Sequence, residues 1–250
     1  MPGVRAVQTL RGVVVQGDAY SQWNLCDYTG DDALQVLYAR LAFCQQMGIT
    51  LDQLVMPRQT HSSNVKVIDQ NYLDADIAAQ EAELEGVDAL VTALPGVCIG
   101  VNTADCVPVA LADVKNGVVA IVHAGWRGTV ARIVKAAVEA MKQLGATADA
   151  IHATMGASIC EDCFEVGDEV PQAFADAGFN LDEIMHRDIT TGKAHISLQR
   201  ANRQVLIEAG VNVKNIVLAE ACSRCDSERY FSARQLGINS GRSFTAIIRR

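Results

Sequence analysis

The stretch that decides the fold reads NTADCVPVALAD from Asn102 to Asp113 and NGVVAIVHAGWRGT from Asn116 to Thr129. Each segment holds an apolar run flanked by loop-forming residues, and each run predicts a β-strand. After Thr129, apolar residues recur at helical spacing. A strand, a tight turn and a helix in this order are typical of an α/β protein.

The same alternation of strands and helices continues along the rest of the chain. Runs rich in apolar and β-branched residues predict nine strands, at Leu54–Met56, Val65–Ile68, Ala89–Thr92, Val97–Val101, Val107–Leu111, Val118–Val122, Ala150–Met155, Ile216–Leu218 and Phe244–Ile248. Four helices are predicted, at Leu34–Met47, from an N-cap at Thr129 to Gly145, at Asp168–Ala177 and at Leu198–Ala209. The acidic segment Asn71–Glu85 predicts helical or irregular structure. The sequence shows no internal repeat and no linker, so we expect a single multilayer α/β domain spanning residues 1–250.

Composition limits the classes of partner. The formal net charge of -8 argues against nucleic acid and anionic membrane as partners, because both require a basic surface. No apolar run approaches the ~20 residues that span a bilayer. The N-terminal residues lack the pattern of a signal peptide, and we therefore expect a cytoplasmic protein. The sequence does not indicate the oligomeric state.

The chain has eight cysteines. Cys26, Cys44 and Cys98 lie in apolar runs and predict small buried hydrophobic residues. Two Cys-x-x-Cys pairs, Cys160–Cys163 and Cys222–Cys225, are separated by the 58 residues from 164 to 221. Zinc-ribbon pairs usually lie ~15–20 residues apart, so we expect inert thiols here, with a reversible disulfide or a shared four-thiolate zinc as the alternatives.

Three other soft-metal ligands stand in loop or strand-end contexts. His61 lies in a polar loop, Cys106 precedes an apolar run that begins Val-Pro, and His123 closes an apolar run. Two histidines and one cysteine are the protein ligands of a zinc site that keeps its fourth position open. Taken singly, Cys106 is better explained as a buried thiol, and a loop histidine such as His61 is usually solvated.

Two neighbours of these ligands carry charge. Asp105 precedes Cys106 and is suited to orienting a metal-bound histidine or to moving protons near a bound water. Arg127, between Gly125 and Gly128 at the start of a helix, predicts a phosphate or anion site. The alternative is an ordinary turn with an arginine on the surface.

Six blocks stand in fixed order between Gln59 and Arg242, namely QTHSSNV, EGVDALVT, TADCVPV, HAGWRGTV, FEVGDEV and RYFSARQLGINSGR. They resemble the motifs of the laccase-domain family, also called multicopper polyphenol oxidase or YfiH-like, whose members are regarded as purine nucleoside phosphorylases. The resemblance implies a four-layer α/β/β/α sandwich and zinc bound by His61, Cys106 and His123.

The implied activity is phosphorolysis of adenosine, inosine, guanosine and methylthioadenosine, with adenosine deamination as a side activity. Nucleoside and phosphate are then the partners. By the same resemblance, Arg11 and Asn24 are expected to contact substrate, although Val13 and Val14 replace a glycine pair that family members have in this loop.

Three other functions can be compared with this expectation. A multicopper centre needs about ten histidines plus a cysteine, whereas the chain has five histidines, so zinc is favoured over copper. A metal-free cysteine hydrolase would use Cys106 as nucleophile and His123 as base, and editing of cell-wall precursors is one such reaction. A non-enzymatic zinc protein would normally close its metal with a fourth ligand.

Overall fold

The structure, a computed structural model, describes residues 3–250. Its strands are β1 Val4–Gln8, β2 Leu54–Val55, β3 Val65–Val67, β4 Ala89–Thr92, β5 Cys98–Thr103, β6 Val107–Asp113, β7 Val118–Ala124, β8 His152–Met155, β9 Glu165–Val166, β10 Met185–Arg187, β11 Ala194–Ile196, β12 Ile216–Val217 and β13 Ser243–Arg249. Its α-helices are α1 Ala33–Met47, α2 Gln70–Asp74, α3 Ile77–Leu84, α4 Trp126–Val130, α5 Ile133–Gln143, α6 Glu169–Asp176, α7 Leu181–Ile184, α8 Leu198–Glu208 and α9 Ala233–Leu236. None of the helices within this range is long and apolar enough to cross a membrane.

The two strands predicted between Asn102 and Thr129 are β6 and β7. They lie in the middle of a six-stranded sheet, whose order is β12-β8-β6-β7-β4-β3. β6 and β7 pair antiparallel, with Val109 opposite Val122. Every residue of both strands is buried, because both faces of this sheet are covered. Double-sided burial is the physical reason that these strands read as continuous apolar runs rather than as alternating ones.

A second sheet, ordered β1-β13-β5-β2, covers one face of the six-stranded sheet. Val119 and Ile121 of β7 pack there against Ile99, Val101 and Ile247 of the smaller sheet. Val118, Ala120, Val122 and Ala124 of β7 point to the opposite face, as the two-residue period of a strand requires.

Helices cover the two outer faces. α5 and α8 pack Val134 and Val205 against the six-stranded sheet. On the other side, α1 packs Phe43 and Met47 against Phe244 of the smaller sheet, and the Phe43 and Phe244 rings meet edge to face with centroids 5.1 Å apart. The expected four-layer α/β/β/α arrangement is confirmed.

The predicted helix N-cap at Thr129 is wrong. Thr129 lies inside the short helix α4, and its hydroxyl donates to the carbonyl of Gly125 and accepts from the amide of Asn202. α5 begins only after Arg132, which adopts the left-handed conformation with φ 59°. The guanidinium of Arg132 bonds to the carbonyl of Ala177 at 2.8 Å, a tertiary contact that the local pattern does not contain.

Other elements were not predicted because they are short or polar. β1 contains an arginine and joins the sheet by pairing with β13 from the far end of the chain. β9, β10 and β11 form a separate three-stranded sheet of two- and three-residue strands. The acidic segment Asn71–Glu85 contains most of α2 and all of α3.

Candidate metal centre

The three predicted ligands come together at one end of the six-stranded sheet, where the ends of four strands lie side by side. His61 lies in the loop before β3, Cys106 in the turn before β6, and His123 near the end of β7. Their ligand atoms all lie within 4.8 Å of one another. The Cys106 Sγ and His61 Nε2 atoms are 3.8 Å apart.

These distances fit a tetrahedral metal ion. With Zn–S near 2.3 Å and Zn–N near 2.0–2.1 Å, sulfur and nitrogen ligands lie about 3.5 Å apart, so a small contraction closes the site. The backbone also makes room for the ligands at Gly125. A Cβ atom there would lie 2.9 Å from His61 Cδ2 and 3.0 Å from Cys106 Sγ, so any larger residue would push the ligands apart.

A buried carboxylate that the sequence interpretation missed organises two of the ligands. Asp88 accepts hydrogen bonds from the backbone N–H groups of Thr60, His61 and Ser62 at 2.8–3.1 Å. It also accepts from the Ser62 hydroxyl, and one oxygen lies 2.6 Å from His123 Nδ1. This contact leaves His123 Nε2 for a metal, an arrangement common behind zinc-bound histidines. The backbone contacts hold His61 in the left-handed conformation with φ 62°.

The electrostatics of this cluster favour an ionised pair, the Cys106 thiolate and the protonated His123. Burial alone raises the pKa of the Cys106 thiol, but the charge and hydrogen bonds of His123 and His61 outweigh it and lower the pKa to about 6. Burial lowers the pKa of His123, but the Cys106 thiolate and Asp88 raise it to about 9. Without metal, Cys106 is therefore a thiolate beside a protonated His123 at neutral pH. Since a metal binds thiolate and neutral imidazole, its uptake releases the His123 proton.

Asp105 does not orient a ligand histidine, whereas its part in moving protons stays a prediction. Asp105 has a φ of 87°, and its carboxylate accepts hydrogen bonds from the Ser223 hydroxyl and the backbone N–H of Arg234, each at 2.7 Å. Asp105 therefore fixes the turn before β6, which carries Cys106, to the C-terminal loops.

A cavity of about 500 Å³ opens above the three ligands. This volume is within the range of small-molecule sites. Besides His61, Cys106 and His123, its walls consist of Tyr28, Thr29, Gly30, Gln59, Asn102, Ala104, Ala233, Ile238, Asn239 and Arg242.

Neither of the predicted arginines lines this cavity. Arg11 is buried, and its guanidinium donates to the carbonyl oxygen of Ser227 and to the hydroxyl of Ser21. Arg127 is exposed, with its guanidinium 4.3 Å from the centre of the Trp126 ring. Arg11 therefore joins the N-terminal loop to the C-terminal segment, and Arg127 extends over the neighbouring tryptophan.

Asn24 supports the wall of the cavity without lining it. The side chain is buried; its amide donates to Cys26 and Asp31, and its oxygen accepts from the backbone N–H of Arg242 at 3.0 Å. Asn24 thus holds the loop containing Tyr28 against Arg242, but it is not itself among the lining residues.

Arg242 is the cationic side chain of the cavity wall. Its guanidinium donates to the carbonyl oxygens of Ile238, Ser240 and Gly241 at 2.6–3.0 Å. These acceptors fix its position without neutralising its charge, and within residues 3–250 no ion pair includes Arg242. The sequence interpretation did not consider Arg242, because only the fold brings residue 242 to the ligands.

Proteins of known family resemble this chain over most of its length. A family model described as multi-copper polyphenol oxidoreductase laccase matches residues 5–250. The protein named adenosine deaminase RL5, from an unknown prokaryotic organism, is 62% identical over 248 residues, covering 99% of this chain and 95% of that protein. A purine nucleoside phosphorylase of Bacteroides thetaiotaomicron is 41% identical over 243 residues, covering 97% of this chain and 90% of its own length.

The fold also matches a solved structure. The crystal structure of the Bacillus licheniformis hypothetical protein YfiH aligns with a TM-score of 0.89 and 25% sequence identity, covering 99% of this chain and 93% of that one. The predicted YfiH-like, mixed α/β single-domain fold is therefore confirmed.

The Asp88 contacts predict a specific loss of metal affinity. Asp88→Asn keeps the size of the side chain but directs an amide at N–H groups that need an acceptor. We expect the affinity for metal to fall by roughly 10- to 100-fold, measured by competition with a coloured chelator. The matched control is Asp113→Asn, which changes another fully buried carboxylate that accepts from backbone N–H groups away from this site. Equal metal affinity in the two variants would contradict the assignment.

The ionised pair predicts the pH dependence of thiol reactivity. In metal-free protein, alkylation of Cys106 by iodoacetamide should rise with pH around a midpoint of about 6, because the thiolate forms above the pKa and is lost below it. His123→Gln should move the midpoint up towards the ordinary thiol value of about 8.5. Mass spectrometry of the Cys106 peptide measures the rate. Cys44, whose pKa is raised by burial, serves as the slow internal control, and an unchanged midpoint in His123→Gln would contradict the pairing.

Proposed function

We propose that this chain, which belongs to the multi-copper polyphenol oxidoreductase laccase family, is a zinc-dependent purine nucleoside phosphorylase. Its substrates would be adenosine, inosine, guanosine and methylthioadenosine, and adenosine deamination would be a second reaction of the same site. The observation that carries the proposal is the His61–Cys106–His123 cluster on the floor of a cavity whose wall presents the unneutralised charge of Arg242.

Zinc suits this donor set better than a multicopper centre, although the name of the family model refers to copper. The cluster offers two histidines and one thiolate, and a multicopper centre would need about twice the five histidines of the chain. Three protein ligands leave one position open, as in catalytic zinc sites. A zinc ion held here would supply Lewis acidity to water or to a substrate group.

Phosphorolysis requires an anion held beside the sugar. An oxygen of phosphate forms a bond to C1′ of the ribose, the bond from C1′ to the purine nitrogen breaks, and the departing base takes up a proton. Arg242 binds the phosphate in this proposal, and its anchored guanidinium needs no rearrangement to do so. Tyr28 supplies an aromatic ring of the cavity wall for contact with the purine.

Deamination is a second candidate because the 62% identical relative is named adenosine deaminase RL5. In this reaction water adds to the ring carbon that bears the amino group, ammonia leaves, and inosine is the product. Deamination needs the metal site but no phosphate. The two reactions are therefore separable by their dependence on phosphate and by their products.

A cysteine hydrolase is the competing proposal. The thiolate of Cys106 beside protonated His123 is the charge state of an activated cysteine nucleophile. Such an enzyme would form an acyl intermediate on sulfur and could act on amide substrates, including precursors of the cell wall. It would need Cys106 but not metal.

The first test is product analysis with zinc-loaded protein. We expect adenosine to give adenine and ribose 1-phosphate only when phosphate is present, and inosine when phosphate is omitted. Chromatography of the nucleosides and bases measures both. Adenosine that stays untouched with zinc bound and phosphate in excess would contradict the proposal.

Arg242 should separate phosphate binding from nucleoside binding. Loss of one charged hydrogen-bond donor costs about 1.5–3 kcal/mol, so Arg242→Gln should raise KM for phosphate by roughly 10- to 100-fold and change KM for adenosine much less. Arg127→Gln is the matched control, because Arg127 lies outside the cavity wall. A larger rise in KM for phosphate in Arg127→Gln would indicate that the anion site lies at the start of α4 instead.

Cys106→Ala decides between the metal enzyme and the cysteine hydrolase. With one of three ligands gone, we expect this site to lose its zinc and the protein to lose turnover together. Cys44→Ala, a change at a buried cysteine of α1, should keep both. Retained zinc at the site with abolished turnover would favour the nucleophile mechanism.

A further inference from the structure

A second cluster of metal ligands lies outside the cavity and plays no part in the proposed reaction. It consists of Cys160, Cys163, Cys222 and Cys225, whose Sγ atoms all lie within 4.8 Å of one another. We propose that these four thiols form a closed structural zinc site that braces the wall of the cavity. The expectation of inert, separate thiols from their spacing in the sequence is therefore replaced.

The fold explains how two distant pairs come together. An isolated β-bridge joins Ser158 to Cys222, and the backbone N–H of Ser223 donates to the carbonyl of Ser158 at 3.0 Å. The 58 residues between the pairs contain α6 to α8 and β9 to β12, which form a folded excursion that returns to its starting point. Separation along the chain therefore did not predict separation in space.

The sulfur distances fit a tetrathiolate ion better than a disulfide. Sulfur atoms at about 2.3 Å from a tetrahedral zinc lie about 3.8 Å from one another, whereas a disulfide bond is about 2.05 Å long. The Sγ atoms of Cys163 and Cys225, one from each pair, are 3.4 Å apart. All eight cysteines of the chain are free thiols in this structure.

Each Cys-x-x-Cys pair forms a turn that presents both sulfurs on one side. Cys160 caps a 3₁₀ turn over Glu161–Cys163, and its own backbone N–H donates to Cys222 Sγ at 3.2 Å. The backbone N–H of Cys225 donates to the same sulfur at 3.4 Å. N–H donors of this kind stabilise thiolate, and they lower the pKa of Cys222 despite the burial that raises it.

The surrounding charge suits a metal–thiolate cluster. Four thiolates and one divalent ion carry a net negative charge, which needs positive neighbours. Arg224 lies between the ligands Cys222 and Cys225 in the chain. The Arg234 guanidinium donates to the carbonyls of Cys163 and Glu165 at 3.2–3.4 Å.

The position of the cluster indicates its role. Ser223, next to a ligand, donates to Asp105 at 2.7 Å, and Asp105 precedes Cys106. The chain then continues from Cys225 to the cavity-wall residues Ala233 and Ile238. A four-ligand site leaves no open position for substrate, so the zinc would stabilise these loops without taking part in chemistry.

Metal analysis in the Cys106→Ala variant tests the proposal independently of the cavity site. We expect this full-length variant to retain about one zinc per chain, and Cys106→Ala/Cys225→Ser to retain none. Cys225 is exposed, so its change to serine should leave the fold intact, as circular dichroism can check. The matched control Cys106→Ala/Cys44→Ala should retain its zinc.

Cobalt(II) substitution identifies the ligands directly. Cobalt-loaded Cys106→Ala should show the intense thiolate-to-metal absorption of a tetrahedral multi-thiolate site, and the Cys225→Ser change should abolish it. Cys106→Ala/Cys225→His should restore a metal-bound site with weaker absorption, because three cysteines and one histidine also bind zinc. A metal-free Cys106→Ala protein, iron in place of zinc, or an intact mass lowered by the two hydrogens of a disulfide would overturn the proposal.

Discussion

The carboxylate of Asp88 makes the contacts on which the candidate metal centre depends. A fully buried charge is unfavourable unless it is paired and hydrogen-bonded, and Asp88 is satisfied only by the groups that it organises. Those groups are the backbone before β3, the Ser62 hydroxyl and the ring of His123. The energetic need of one buried carboxylate thus fixes both the left-handed conformation of His61 and the orientation of His123.

The sheet topology delivers these groups to one place. β7 runs antiparallel to both of its neighbours, β6 and β4, and β3 runs parallel to β4. The end of β7 therefore lies beside the beginnings of the other three strands, where His123, Cys106, Asp88 and His61 are found. Since both faces of the sheet are buried by the second sheet and by helices, its rim is the place left for polar chemistry. The continuous apolar runs that predict the strands also predict that functional residues stand at their ends.

Prediction from sequence succeeded where residue type alone limits the structure. Apolar runs predicted the central strands, and the donor chemistry of His61, Cys106 and His123 selected the residues that the structure brings together. It failed where the direction of a side chain decides which residue contacts a ligand. Asp105 precedes a ligand in the chain, yet its carboxylate points to Ser223 and Arg234, whereas Asp88 is distant in sequence and contacts a ligand. The spacing of the two Cys-x-x-Cys pairs likewise did not indicate that the pairs lie together, because spacing says nothing about a fold that returns to its starting point.

Strain in the backbone is concentrated beside the ligands. Two of the four non-glycine residues with positive φ in the described part of the chain are His61, a ligand, and Asp105, which precedes one. Such conformations cost on the order of 1–3 kcal/mol and persist only where surrounding contacts impose them. Asp88 supplies these contacts for His61, and Ser223 and Arg234 supply them for Asp105. Ser223 is in turn held by the bridge between Ser158 and Cys222. The contacts of Asp88 and the loop that follows the thiol cluster therefore restrain the loops of the candidate metal site, so that the geometry of His61 and Cys106 is set by contacts outside the cavity.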